Sequence, residues 1–257
     1  MSRVPASRAD TVTIEICVEG IDDAIAAEAG GADRVELCAS LLEGGITPSD
    51  GTIRQTCRRL AIPVHVMVRP RGGDFLYSQA EFATMLDDVA RLRETGAAGV
   101  VFGCLNRDGT VDEARTRALV AAARPLRVTF HRAFDVTAEP GAALEALIRC
   151  GVDRVLTSGQ QPNAVRGIPL LASLARQAAG RIAVIGCGDL REATIARVRR
   201  DTGLRELHFA ALAERASMMT HRNEAIAMGG AGTTREYRQP YTDSALVRRI
   251  IAAARAA

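Results

Sequence analysis

The chain has 257 residues, 47% of them hydrophobic and 25% charged, which is enough apolar material for one large domain with a sizeable core. Its 33 basic and 30 acidic residues leave a net charge of +3, and the basic residues are scattered. That distribution lacks the basic stripe of a nucleic-acid surface, and no apolar run approaches the roughly 18 residues that a membrane span needs.

The opening stretch is polar, with Arg3 and Arg8 and no apolar centre. It is not a signal peptide, and residues 1–11 read as a disordered tail. From residue 12 onward, short β-branched runs alternate with longer alanine-rich stretches. Strands are predicted at 12–18, 34–38, 64–69, 99–103, 127–131, 154–158, 182–186 and 206–210. Helices are predicted near 22–29, 50–60, 79–94, 112–123, 141–149, 169–179, 191–201 and 243–256. Ser78 with Glu81, and Thr110 with Glu113, have the spacing of capping boxes. Pro140 stands where a first helical residue belongs. Regular β-then-α alternation implies parallel strands, and eight such units can close on themselves. The expected fold class is therefore α/β: a (β/α)8 TIM-type barrel, a single domain over residues 12–257. Gly31-Ala32-Asp33-Arg34-Val35 before the second strand returns as Gly151-Val152-Asp153-Arg154-Val155 before the sixth, as two fused half-barrels would leave it. Residues 214–241 read as one long irregular connection, of a kind that often carries function or mobility.

In a barrel strand, alternate residues face the helices and the interior. Ile14, Ile16, Val35, Leu37, Val64, Val66, Val68, Val128, Phe130, Leu207 and Phe209 form the apolar, helix-facing sets. Glu15, Cys17, Glu36, Cys38, His65, Met67, Arg69, Thr129, His131, Glu206 and His208 then point inward. An inert barrel fills these slots with Val, Ile and Leu. Buried charge is costly unless paired, so a polar cavity at the barrel mouth is expected. Glu15 and Arg69, of opposite sign, can form a buried ion pair, and His65 lies deep enough to be a core histidine.

The loops that follow the strands add candidates. Arg69-Pro70-Arg71-Gly72-Gly73-Asp74 can bring two guanidinium groups and backbone N–H groups to an anion. His131 and Asp135 end the fifth strand, Thr157 and Ser158 the sixth, and Gly188 follows the seventh, where barrels often bind phosphate. The residues by themselves suggest an enzyme acting on a small phosphorylated or carboxylated molecule by acid/base chemistry. In that reading Glu36, His131 and Asp135 are the catalytic groups. Glu15, Arg69, Arg71, Thr157, Ser158, Gly188 and His208 are the ligand-binding groups. His131 moves protons, and Glu36 orients it or acts as a base.

Six stretches also resemble a known family: Glu15-Ile16-Cys17; Gly31-Ala32-Asp33-Arg34-Val35-Glu36-Leu37-Cys38; Glu43-Gly44-Gly45-Ile46-Thr47-Pro48-Ser49; Arg69-Pro70-Arg71-Gly72-Gly73-Asp74-Phe75-Leu76-Tyr77-Ser78; Val128-Thr129-Phe130-His131-Arg132-Ala133-Phe134-Asp135; and Arg154-Val155-Leu156-Thr157-Ser158-Gly159. Together they look like the CutC family, named for copper homeostasis. The chain departs from that pattern at Ile185-Gly186-Cys187-Gly188-Asp189 and at His208-Phe209-Ala210-Ala211-Leu212. The resemblance implies a TIM-type barrel in the cytoplasm that binds Cu(I), with Cys17 and Cys38 as the metal ligands. Cu(I) prefers thiolates and thioethers, and the ends of adjacent strands, about 4.8 Å apart, let two sulfurs share an ion. Met67 on the next strand can add a thioether. The six cysteines include no CxxC pair, in keeping with reduced thiols in the cytosol. The expected partners are a copper ion or a small anionic molecule, with no nucleic acid and no membrane. A homodimer is the default assembly.

Overall fold

A computed structural model describes residues 12–226, 228 and 236–257. The predicted tail over residues 1–11 lies outside them. Eight parallel strands close into a barrel in sequence order: β1 (Thr13–Val18), β2 (Arg34–Leu37), β3 (Val64–Met67), β4 (Gly99–Phe102), β5 (Arg127–Phe130), β6 (Arg154–Thr157), β7 (Ala183–Gly186) and β8 (Glu206–Phe209). The helices α1 (Ile21–Ala29), α2 (Asp50–Arg59), α3 (Gln79–Leu92), α4 (Glu113–Ala123), α5 (Pro140–Arg149), α6 (Ala164–Ala178), α7 (Ile195–Thr202) and α8 (Ser244–Arg255) follow the strands in turn. Among the described residues, no helix is long and apolar enough to cross a membrane.

Strand parity decides where the core sits. Ile14, Val35, Val68, Val128, Phe130 and Leu207 pack outward with helix residues such as Leu119, Leu144 and Leu171 in one large cluster. Cys17, Cys38, Met67 and Val101 form a separate cluster inside the barrel, and Leu156, Ile185 and Cys187 form another. Period-two alternation thus separates an apolar outer shell from a mixed interior.

Local signals hold in part. Ser78 and Glu81 form both bonds of a capping box, and Pro140 opens α5. Thr110 and Glu113 do not form one: Asp112 is the cap of α4, and its side chain accepts from Arg115 N–H at 3.0 Å. Two capping residues, Thr110 and Asp112, compete for one helix end, and the carboxylate also suits the positive end of the helix dipole. Helix α6 starts five residues before the predicted 169, with Asn163 as its cap and Pro169 inside it. Pro169 lies past the first turn, so α6 forgoes one backbone bond, to the carbonyl of Val165, and continues through it. Helix α7 starts later than predicted, at Ile195, after a turn at 191–194. The predicted irregular connection 214–241 contains regular structure at both ends. An antiparallel ribbon pairs β9 (Leu212–Ala216) with β10 (Arg238–Thr242), while residues 227 and 229–235 lie outside the described residues.

The half-barrel repeat has a physical counterpart. Gly31 and Gly151 both adopt positive φ, at +95° and +76°, which glycine alone does freely. The aspartate of each copy then accepts from the backbone of the preceding strand: Ile14 N–H donates to Asp33, and Val128 N–H to Asp153, each at 2.8 Å. The arginines of the two copies converge across the barrel on one carboxylate. Arg34 Nη2 reaches Glu206 Oε2 at 2.7 Å and Arg154 Nε reaches it at 3.1 Å.

These arginines belong to an ionic layer deep in the barrel. Arg34 Nε also donates to Glu15 Oε2 at 2.5 Å, and His65 Nδ1 stands 3.8 Å from the same oxygen. The sequence suggested Arg69 as partner of Glu15; the structure corrects this to Arg34, its neighbour in the β1–β2 register. Arg69 is two strands away. Gly99 makes room for His65, since a Cβ there would stand 2.7 Å from the ring. Burial pulls His65 down to about 4, so it is a neutral imidazole in the core.

Removing one member of a buried ion pair leaves an uncompensated charge, at a cost of about 3–5 kcal/mol. The substitution Arg34→Met is therefore expected to destabilise the protein by about that amount. Urea unfolding of the variant measures it, and a loss under about 1 kcal/mol contradicts the assignment of Arg34 as counter-charge to Glu15.

Candidate functional site

Above the ionic layer, the C-terminal strand ends open into a cavity of about 940 Å³. Cys17, Glu36, Met67, Arg69, His131, Cys187, Gly188 and His208 are among the residues that line it. Glu15 lies beneath, 1% exposed. Of the residues singled out in the sequence, Cys38, Arg71, Asp135, Thr157 and Ser158 do not line the cavity, Cys38 lying fully buried behind Cys17.

The first cluster lies at the ends of β1, β2 and β8. Cys17 and Cys38 place their sulfurs 3.9 Å apart. Glu36 Oε2 is 3.3 Å from the first sulfur and 3.6 Å from the second. Gly45, at φ +87°, lets the following loop pass close over Cys38, where a Cβ would stand 2.9 Å from the sulfur. His208 is oriented from below: its Nδ1 lies 2.7 Å from Glu15 Oε1, and its Nε2 faces Glu36 Oε2 at 3.8 Å. The chain from Arg34 through Glu15 to His208 therefore links the ionic layer to the thiols.

Electrostatics follow from that chain. Burial opposes the charge on Glu15, yet Arg34, His208 and His65 hold its carboxyl well below the usual range. Burial also opposes the charge on His208, but Glu36, Cys17 and Glu15 outweigh it and hold the imidazole protonated. Cys17 is brought down to about 5, chiefly by its hydrogen bond with Cys38, against burial and with help from His208 and Glu36. Cys38 moves the other way, through that same bond and burial. Burial and the adjacent Cys17 push the Glu36 carboxyl up.

The second cluster comes from β3 and β5. His131 follows β5 and caps a short 3-10 turn, Arg132–Val136; Ala133 N–H donates to its Nδ1 at 3.2 Å. That bond places the ring proton on Nε2, which is buried and without a partner among the described residues. Gly103 clears space for this ring, because a Cβ there would stand 2.6 Å from it. Phe75 packs on the imidazole, with centroids 4.9 Å apart, and the Arg69 guanidinium lies over the Phe75 ring, 5.1 Å from its centroid. Burial and Arg69 bring His131 down to about 3. Glu36 does not orient it; Glu36 turns to Cys17, Cys38 and His208.

The remaining predicted residues hold loops. Arg71 is spent on Glu81, on the Asp74 side chain and on the carbonyls of Asp74 and Leu76. Asp135 accepts from Thr157 Oγ1 at 2.5 Å, from Ser158 N–H and from Arg132, and so ties the loop after β5 to the end of β6. It has no bond to His131 among the described residues, so Glu36, His131 and Asp135 are not brought together. Gly188 adopts φ +99° beside Ser158, where a Cβ would stand 2.8 Å from the serine Cβ. The sequence reading missed Arg34 and Arg154 as interior residues, although the parity that placed Glu36 inside places Arg34 there too. Phe75 carried no periodic signal, because it lies in a loop.

The depressed His131 titration has a direct test. Its ring should stay neutral, in the Nε2–H tautomer, from about pH 8 down to about pH 5. A histidine with a lowered folded pKa contributes stability that is fully present above about 6.5 and is lost as pH falls toward the folded value. Ring 15N NMR shifts decide the point, and a titration centred near 6.5 refutes the buried, neutral imidazole.

Residues 12–213 match the CutC family model. A family protein CutC from Mesorhizobium japonicum is 63% identical, covering 95% of this chain and 94% of its own length. A copper homeostasis protein cutC homolog from Homo sapiens is 44% identical, covering 99% of this chain and 94% of the relative. Among solved structures, the CutC structure from Streptococcus agalactiae superposes with a TM-score of 0.74 at 30% identity, covering 77% of this chain and 98% of that one. Phosphoribosylanthranilate isomerase from Thermotoga maritima, with a TM-score of 0.59 and 11% identity over 96% of this chain and all (100%) of that one, shares the barrel alone. With the barrel, the motifs and most of its length in agreement, the chain belongs to the CutC family.

Proposed function

We propose that this protein binds Cu(I) in the cytosol, as cargo, through Cys17 and Cys38, in the copper homeostasis role after which its relatives are named. The observation that carries this reading is the sulfur separation. Metal–sulfur bonds of about 2.3 Å spanning 3.9 Å subtend about 116° at the ion, close to trigonal coordination. A third donor is at hand: Met67 shares the buried cluster with both cysteines, and Glu36 Oε2 lies within 3.6 Å of each. The donor chemistry fits, because soft sulfur ligands favour Cu(I). Burial of both thiols keeps water from competing for the ion, and all six cysteines are free of disulfides.

The double variant Cys17→Ser/Cys38→Ser should bind Cu(I) at least about a hundredfold more weakly, which is about 2.8 kcal/mol. Competition against a Cu(I) chelator under reducing conditions measures this, with circular dichroism to show that the barrel is intact. An affinity unchanged in the folded double variant removes these cysteines as ligands.

A further inference from the structure

A cavity of about 940 Å³ is far larger than one ion requires, and it falls within the range of sites for small organic molecules. Where the chain leaves β3, just beyond Met67, Arg69 poses a specific physical problem. It is 5% exposed. Its Nη1 donates to the carbonyls of Glu43 and Gly45, and its Nη2 to that of Gly73. Its Nε has no partner, and among the described residues no carboxylate pairs with the guanidinium. A buried cation ordinarily has a counter-charge. The Tyr77 hydroxyl is close enough for the guanidinium to act on it, but burial pushes the phenol up, so it is no anion. His131, which like Arg69 packs against Phe75, brings to the same wall a second buried N–H that has no partner among the described residues.

We propose that this wall binds the carboxylate of a small organic acid with an apolar body, Arg69 supplying the charge and one hydrogen bond and His131 Nε2–H a second. Two N–H donors and one positive charge match the two oxygens of a monoanion. A phosphate dianion needs further donors, and the nearby ones are committed: Arg71 to Glu81 and Asp74, Thr157 and Ser158 to Asp135. The apolar body follows from the rest of the lining, which includes Leu41, Leu156, Leu190, Phe209, Leu212 and Ile250. The inference is independent of the copper reading, because neither Arg69 nor His131 is one of the proposed metal ligands.

Ligand-observed NMR and thermal unfolding of the full chain test it, using 3-phenylpropionate and hexanoate against their primary amides and inorganic phosphate. A Cu(I) chelator is present throughout, so failure of copper binding has no bearing on the result. Both carboxylates should bind and raise the unfolding temperature, the amides should bind at least about tenfold more weakly, and phosphate should not displace the acids. His131→Phe keeps an aromatic ring against Phe75 and removes the Nε2–H; it should weaken carboxylate binding about tenfold. Arg69→Ala also releases three loop carbonyls and is open to misfolding. The wild-type Arg69 Nε–H resonance therefore serves in its place, and it should move with the acids and stay still with the amides. Absence of carboxylate binding, equal binding of acid and amide, undiminished binding in His131→Phe, or an unmoved Arg69 resonance each overturns the proposal.

Discussion

The interior of this barrel depends on the charge of Glu15. A carboxylate 1% exposed at the centre of a closed sheet is tolerable only if cations surround it. Arg34 lies on one side at 2.5 Å and His208 on the other at 2.7 Å. Arg34 in turn shares Glu206 with Arg154, so the pairing extends from β1 and β2 to β6 and β8. The same contact that neutralises Glu15 also fixes the His208 ring, which places its other nitrogen toward Glu36 and the thiols. The ionic layer therefore acts as a floor on which the mouth is built. Buried pairs of this kind are weak sources of net stability, and their attested use is to fix one arrangement over others.

Above that floor, the mouth divides into two chemically different walls. The thiols of Cys17 and Cys38, with Met67, make a soft corner suited to a soft cation. Arg69 and His131 make a hard corner that offers only N–H donors. Phe75 and the loop carbonyls that clasp Arg69 hold the second corner in place. Glycines carve both: Gly45 admits a loop over Cys38, and Gly103 leaves room for the imidazole. Asp135 stands outside both walls as a tie between the loops after β5 and β6.

Much of this was legible in residue order because strand parity is a strict code. Ile14, Val35 and Val68 are apolar, so their neighbours Glu15, Glu36 and Arg69 face inward, and the outer and inner clusters divide as that alternation requires. Helix starts were legible where one strong signal stood alone, as at Ser78, and misread where signals competed, as at Thr110 and Asp112, or where a proline lay inside the first turns, as at Pro169. Long-range pairing was not legible. Parity places Arg34 and Arg69 on the same interior surface without stating which of them meets Glu15.

The sequence by itself determined the barrel, the set of side chains that enter it and the family, because these rest on periodicity and short motifs that act over neighbouring residues. Only the tertiary structure decided what those side chains do. Strand stagger gives Glu15 to Arg34, and loop closure turns Arg71 away to Glu81 while leaving Arg69 without a carboxylate. The 3-10 turn after β5 takes up His131 Nδ1 and leaves Nε2–H unpartnered. Each of these outcomes depends on the relative placement of segments far apart in the chain. A charge or hydrogen-bonding group acquires its partner, and with it its chemistry, only when the barrel closes.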